Sequence, residues 1–166
     1  MKKDSMVIGK KLIVTLFFAF SLLLKINSQE YIDAIGIRVG ESFGVTYKHF
    51  FSEKFAIEAS VMSRWHGIYS MGLIELHSQI MDIKGFKWYA GAGPSGGYWS
   101  YNNDIKWLDP GKSAFVFGIT AIAGLEYNLK DVPLAIGIDW KPAINLFGYT
   151  RPWLDEFSVS LKFRLN

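Results

Sequence analysis

The stretch FSVSLKFRLN (Phe157–Asn166) sets Phe157, Val159, Leu161, Phe163 and Leu165 on one face of an extended chain, with Ser158, Ser160, Lys162 and Arg164 on the other. Side chains of a β-strand alternate between faces, so a strict period of two marks a strand with one apolar and one polar side. The same period runs upstream. In 114–127, Phe115, Phe117, Ile119, Ala121, Ala123, Leu125 and Tyr127 oppose Val116, Gly118, Thr120, Ile122, Gly124 and Glu126. In 133–146, Leu134, Ile136, Ile138 and Trp140 oppose Ala135, Gly137, Asp139 and Lys141. Earlier in the chain, Ile35, Ile37 and Val39 oppose Gly36, Arg38 and Gly40.

Turn-forming clusters separate these segments: Gly40–Ser42, Ser52–Lys54, Trp65–Gly67, Asp82–Gly85, Asn102–Lys112, Asn128–Asp131 and Gly148–Glu156. They predict eight strands, over 33–40, 43–51, 54–63, 68–81, 86–100, 114–127, 133–146 and 157–166. Leu73 falls on the face of Glu75 and His77 in the fourth. Pro94, in the fifth, has no amide hydrogen and predicts a bulge there. No segment after Ser28 carries a 3.6-residue period. The composition agrees: 16% of residues are aromatic and Gly numbers 16, a mix of strand and turn formers. There is no Cys, which excludes a disulfide framework, thiol catalysis and thiolate metal sites.

The N-terminal region follows another pattern. Lys2, Lys3, Lys10 and Lys11 precede an apolar run from Leu12 to Leu24, then Ile26-Asn27-Ser28. That is the order of a secretory signal peptide, and the run falls short of the roughly 18 apolar residues of a spanning helix. Residues 1–28 are therefore expected to be a cleaved leader and 29–166 one β-barrel domain. The leader also explains the charge. The whole chain is +3, but residues 1–28 hold five Lys against one Asp, leaving a net of −1 on the remainder. The sequence pI near 9.0 belongs to the leader. A nucleic-acid partner loses its electrostatic support.

Which face points inward decides the class. A soluble lipid-carrying barrel puts its apolar face inside; a membrane barrel puts it outside. The polar strand face carries Arg38, Lys48, Glu58, Arg64, Glu75, Lys87, Glu126, Asp139, Lys141, Lys162 and Arg164, mixed with many Gly. No charge needs to sit mid-strand on the bulky face, where a basic residue costs about 2–4 kcal/mol in lipid. That face carries Tyr47, Trp88, Tyr98, Tyr127, Trp140, Phe157 and Phe163 towards strand ends, as an interfacial aromatic girdle requires. Small residues and long charges suit the narrow interior of eight strands. The expected fold is all-β, an eight-stranded antiparallel up-and-down transmembrane barrel. With both termini periplasmic, the short turns at 52–54, 82–85 and 128–131 are periplasmic, and the longer connections at 101–113 and 147–156 extracellular.

The strand rhythm of residues 33–166, the stretch GLEYNLKDVPLAIGIDWKPAINLFG (Gly124–Gly148) and the amphipathic Phe157–Asn166 together resemble the small eight-stranded outer-membrane β-barrel proteins of Gram-negative bacteria, of OmpX/OmpA type. The resemblance implies a place in the cell outer membrane, contact with membrane lipid and lipopolysaccharide, and insertion by the barrel-assembly machinery that reads the terminal strand.

For function, the expected lumen charge network is Arg38, Lys48, Glu58, Glu75, Lys87, Glu126, Asp139, Lys141, Lys162 and Arg164, with Glu126, Asp139, Lys141 and Arg164 at its heart. Paired, these charges fill the lumen and leave a structural, adhesion or assembly role. Counting Arg64, seven bases face four acids, and an unmatched excess would instead make a narrow anion-preferring pore. A lipid A-modifying enzyme is the third reading. It needs a Ser–His–acid group at the outer rim, and His66 has Ser63 and Ser70 near in sequence but no adjacent acid. No catalytic residue is assigned. His49, His66 and His77 are scattered, so no metal or cofactor is expected. Gly91–Gly97 (GAGPSGG) lacks the ending of a phosphate loop. The connection at 101–113, with Tyr101 and Trp107, is where a partner could be met.

Overall fold

A computed structural model describes residues 31–80, 83–101, 105 and 107–165. The expected leader over 1–28, with Asp82, Asn102–Asp104 and Asn166, lies outside the described residues. None of the described residues is helical. The strands are β1 (Asp33–Gly40), β2 (Phe43–Phe50), β3 (Phe55–Arg64), β4 (Gly67–Gln79), β5 (Phe86–Ser100), β6 (Ser113–Asn128), β7 (Leu134–Trp140), β8 (Ala143–Phe147), β9 (Pro152–Trp153) and β10 (Phe157–Leu165). All neighbours pair antiparallel, and the pairing of β10 with β1 closes the sheet. β7 with β8, and β9 with β10, each serve as one barrel strand, so the architecture is a closed eight-stranded barrel.

The predicted seventh strand is interrupted for a local reason. Pro142 has no amide hydrogen to give, and its carbonyl instead accepts from Ala121 N–H at 2.9 Å. The register against β6 is the same before the break, Ala123 opposite Trp140, and after it, Thr120 opposite Ala143. Pro94 behaves differently from the bulge its sequence predicts. β5 keeps one register with β6 from Phe86↔Tyr127 to Ser100↔Ser113. Against β4 the register of Met71↔Ser95 resumes unchanged at Ile74↔Ala92. The missing donor removes ladder pairs on the β4 side only, opposite Gly72 and Leu73, and inserts no extra residue.

Partner-to-partner steps from Leu165 pass through Asp33, His49, Ile57, Ile74, Ala92 and Ala121 to Pro142. Beside Pro142, Lys141 N–H donates to Glu156 O, so the circuit regains the last strand about ten residues from its start. That stagger tilts the strands. It also brings side chains distant in sequence to one level of the lumen.

The barrel ends differ. The 51–54, 80–85 and 129–133 connections share the turn end; the 101–112 and 148–151 connections, with the two-residue turns Glu41–Ser42 and Trp65–His66, share the loop end. Burial is the reverse of a water-soluble domain. Ile37 and Ile138 stay 55% exposed mid-strand, while Arg38, Lys48, Glu58, Glu75 and Lys162 are fully buried. Glycine makes that interior possible: a β-carbon at Gly36 would come within 2.7 Å of Lys162 Cγ, whose stem lies over it.

Candidate functional site

The turn-end half of the lumen is a charged layer. Arg38, on β1, reaches two strands to either side, bonding Glu58 on β3 and Asp139 on β7. Lys48 on β2 lies 2.7 Å from Glu75 on β4, 3.1 Å from its cross-strand neighbour Glu58, and 3.7 Å from Glu126 on the strand opposite. Lys162 on β10 meets Glu126 at 2.7 Å and Glu58 at 3.8 Å. Lys141 holds Asp139 at 2.5 Å and donates to Ser158 at 2.6 Å.

Tyrosines complete the layer. Tyr31 OH donates to Glu126 at 2.5 Å and Tyr89 OH to Asp139 at 2.7 Å. The Tyr89 ring lies 4.3 Å below Lys48 Nζ and stacks on His77 at 5.0 Å; His77 Nε2 meets Glu75 at 2.9 Å. Four bases (Arg38, Lys48, Lys141, Lys162) thus face four acids (Glu58, Glu75, Glu126, Asp139). Charges withdrawn from water persist only when matched in this way.

Three bases of the sequence count stand elsewhere. Arg164 is at the turn-end rim, where it donates to the carbonyls of Leu129 and Val132 and braces the β6–β7 connection. Lys87 sits in the turn-end mouth, 5.7 Å from the Phe50 ring. Arg64 is at the loop end, bonding Asp155 at 2.6 Å and Glu156 at 2.9 Å. The excess of bases therefore disperses.

The loop-end half is an aromatic layer. Trp65, Tyr69, Trp99, Trp107, Tyr149 and Trp153 pack with ring centroids 4.7 to 6.4 Å apart, mostly edge to face. Arg64 lies over the Trp65 ring at 4.1 Å, and Trp99 Nε1–H donates to the Arg64 carbonyl. Ser42 bonds Glu156 and meets Tyr69 OH at 3.2 Å. Between the layers, lined by Tyr69, Trp99, Trp153, Lys141 and Glu156, lies a cavity of about 10 Å³, room for a single water.

The Arg64–Asp155 pair has a consequence in acid. Partial burial works against the Asp155 carboxylate, but the Arg64 hydrogen bond and charge outweigh it and hold the group below the ordinary aspartate range. A depressed folded value means the pair contributes fully above that range, and the contribution is lost as pH falls through the lowered value. Tryptophan emission from the ring cluster is expected to change on that acid limb, and Asp155→Asn to flatten the change. An unaltered acid profile in the variant would rule the pair out as its source.

Ser63, which lies near His66 in sequence, donates to the Gly67 carbonyl, and Ser70 is exposed on the outward face. On that face His49 Nδ1 and Tyr47 OH both bond Asp33, at 2.8 and 2.5 Å. Among the described residues no group of three metal-ligating side chains occurs.

Sequence periodicity overlooked Tyr89, Glu156 and Tyr31. Tyr89 shares its face with Lys87 and Gly91, so its parity was readable; Glu156 becomes readable when the Phe157 strand is extended back by one residue. Tyr31 precedes any alternating run and carried no signal. No protein-family model matches the chain, and no curated protein is similar to it.

Proposed function

We propose that this chain is an outer-membrane β-barrel with a structural, adhesion or assembly role, exported behind residues 1–28 and closed to ions by its own side chains. One observation carries the reading: a matched set of four bases and four acids, buried behind a continuous outward belt of Ile, Val, Leu and Phe. A soluble lipid carrier needs the opposite sorting, with an apolar cavity inside. The belt would face membrane lipid and the inner leaves of lipopolysaccharide, Trp88, Tyr127, Trp140 and Phe157 would anchor it at the two interfaces, and β10 would be read by the barrel-assembly machinery. The loop end, which carries the longer connections, would face the outside of the cell.

Fractionation tests the location. A heat-modifiable band in the outer membrane is expected, and a soluble periplasmic monomer would overturn the proposal. Planar-bilayer recording tests the filled lumen, with no steady conductance as the expected result. Dispersal of Arg64, Lys87 and Arg164 removes the base excess on which anion preference rests. Steady anion-selective openings abolished by charge reversal at Lys141 would establish the pore instead. A change of lipid A mass on expression would favour the enzyme.

A further inference from the structure

Asp33 opens β1 at the turn end, and it is the one Asp, Glu, Lys or Arg on the outward face of any strand among the described residues. The other strand charges turn into the lumen or its mouths. A carboxylate at the edge of the apolar wall has no part in filling the interior.

Its neighbours are arranged around it. His49 stands directly across on β2, and Tyr47 lies one diagonal step away, opposite Ile35. Tyr47 OH donates to Asp33 at 2.5 Å and His49 Nδ1 meets it at 2.8 Å, both at the same oxygen, Oδ1. The other oxygen, Oδ2, has no hydrogen-bond partner among the described residues, and no Lys or Arg among them pairs with the carboxylate. Facing a carboxylate, Nδ1 carries the ring hydrogen, so Nε2 of the neutral imidazole is a second acceptor. The cluster is open: Tyr47 is 45% exposed, and the side chains of His49 and Asp33 are 45% and 29% exposed.

Two hydrogen bonds thus orient the carboxylate and leave its charge uncancelled. An open cluster with a net negative charge and two unused acceptors recognises a cation that donates hydrogen bonds. Its place narrows the choice. Asp33 lies at the turn-end margin of the apolar belt, the level at which head groups of the periplasmic leaflet would stand. We propose that Asp33, Tyr47 and His49 form a seat for the primary ammonium of a zwitterionic phospholipid, with Asp33 Oδ2 and His49 Nε2 as acceptors. A trimethylammonium has the same charge but no N–H to give, so the seat separates the two head groups. A divalent cation is the less favoured occupant, because the cluster holds a single carboxylate and hard cations gather several oxygens. The site rests on the outer-membrane reading. A soluble monomer on fractionation removes both, whereas an inserted barrel without head-group preference removes this site alone.

The test is native mass spectrometry of the full barrel, released from mixed micelles with equal amounts of an ethanolamine and a choline phospholipid of the same acyl chains. The wild type should retain the ethanolamine lipid about fivefold over the choline lipid. Asp33→Asn keeps the size and loses the charge, and should abolish the preference. Asp131→Asn, which removes an exposed turn-end charge elsewhere, should leave it unchanged. His49→Phe removes the second acceptor and should lower the ratio about twofold, which decides the matter if Asp33→Asn does not fold. Equal retention of both lipids by the wild type, an unchanged ratio in folded Asp33→Asn, an equal fall in Asp131→Asn, or loss of the preference on chelating divalent cations would each overturn the proposal.

Discussion

Replacing Arg38 by Met is expected to remove about 3–5 kcal/mol of folding stability, the largest loss of any single change in the lumen. The guanidinium bonds acids on both of its flanks, Glu58 and Asp139. Its removal leaves four buried acids against three bases, and the surplus charge has no water to enter. Urea unfolding in micelles, followed by the compact gel band, measures the loss. Arg38→Met combined with Glu58→Gln restores the balance and is expected to recover at least half of it. Arg38→Lys keeps the charge but lacks a planar fork to reach both partners, so it should fall between. A loss below about 1 kcal/mol for Arg38→Met would mean that the lumen is hydrated and the filled-barrel reading wrong.

The second large effect concerns the outer wall. Ile37 lies mid-strand on β1 between Val45 and Leu161, and it points outward. In a bilayer, Ile37→Lys places an ammonium in hydrocarbon and is expected to cost about 2–4 kcal/mol, with a matching fall in the amount of inserted barrel. The same change at Ile32, beyond the turn end of β1, should cost about 0–1 kcal/mol, because depth decides the penalty. The contrast between the two sites is the signature. If the chain were a water-soluble barrel, both substitutions would be harmless and the gradient absent.

Much of this molecule was legible because strand alternation is local. Each residue's parity assigns it to the wall or the lumen before any partner is known, and the inward set from Arg38 to Lys162 was readable in that way. Even the break at Pro142 leaves parity intact: Ala143 and Asn145 stay inward, Ile144 and Leu146 outward. Pro94 misled the reading because a missing N–H predicts a lost ladder bond but not whether an extra residue enters. The pairing on the β6 side held the register.

The sequence by itself thus determined an antiparallel β-structure, the sorting of its two faces and the crowding of Trp and Tyr near strand ends. Only the tertiary structure decided which charges meet. Arg38 finds its acids two strands away on either side, and Lys48 meets Glu126 across the lumen, because closure with a stagger of about ten residues fixes which levels coincide. It also decided that Arg64 and Arg164 leave the central layer, for the Asp155–Glu156 pair and the carbonyls of the β6–β7 connection. Parity is a property of neighbours along the chain, whereas charge balance in a lumen depends on closure of the whole sheet.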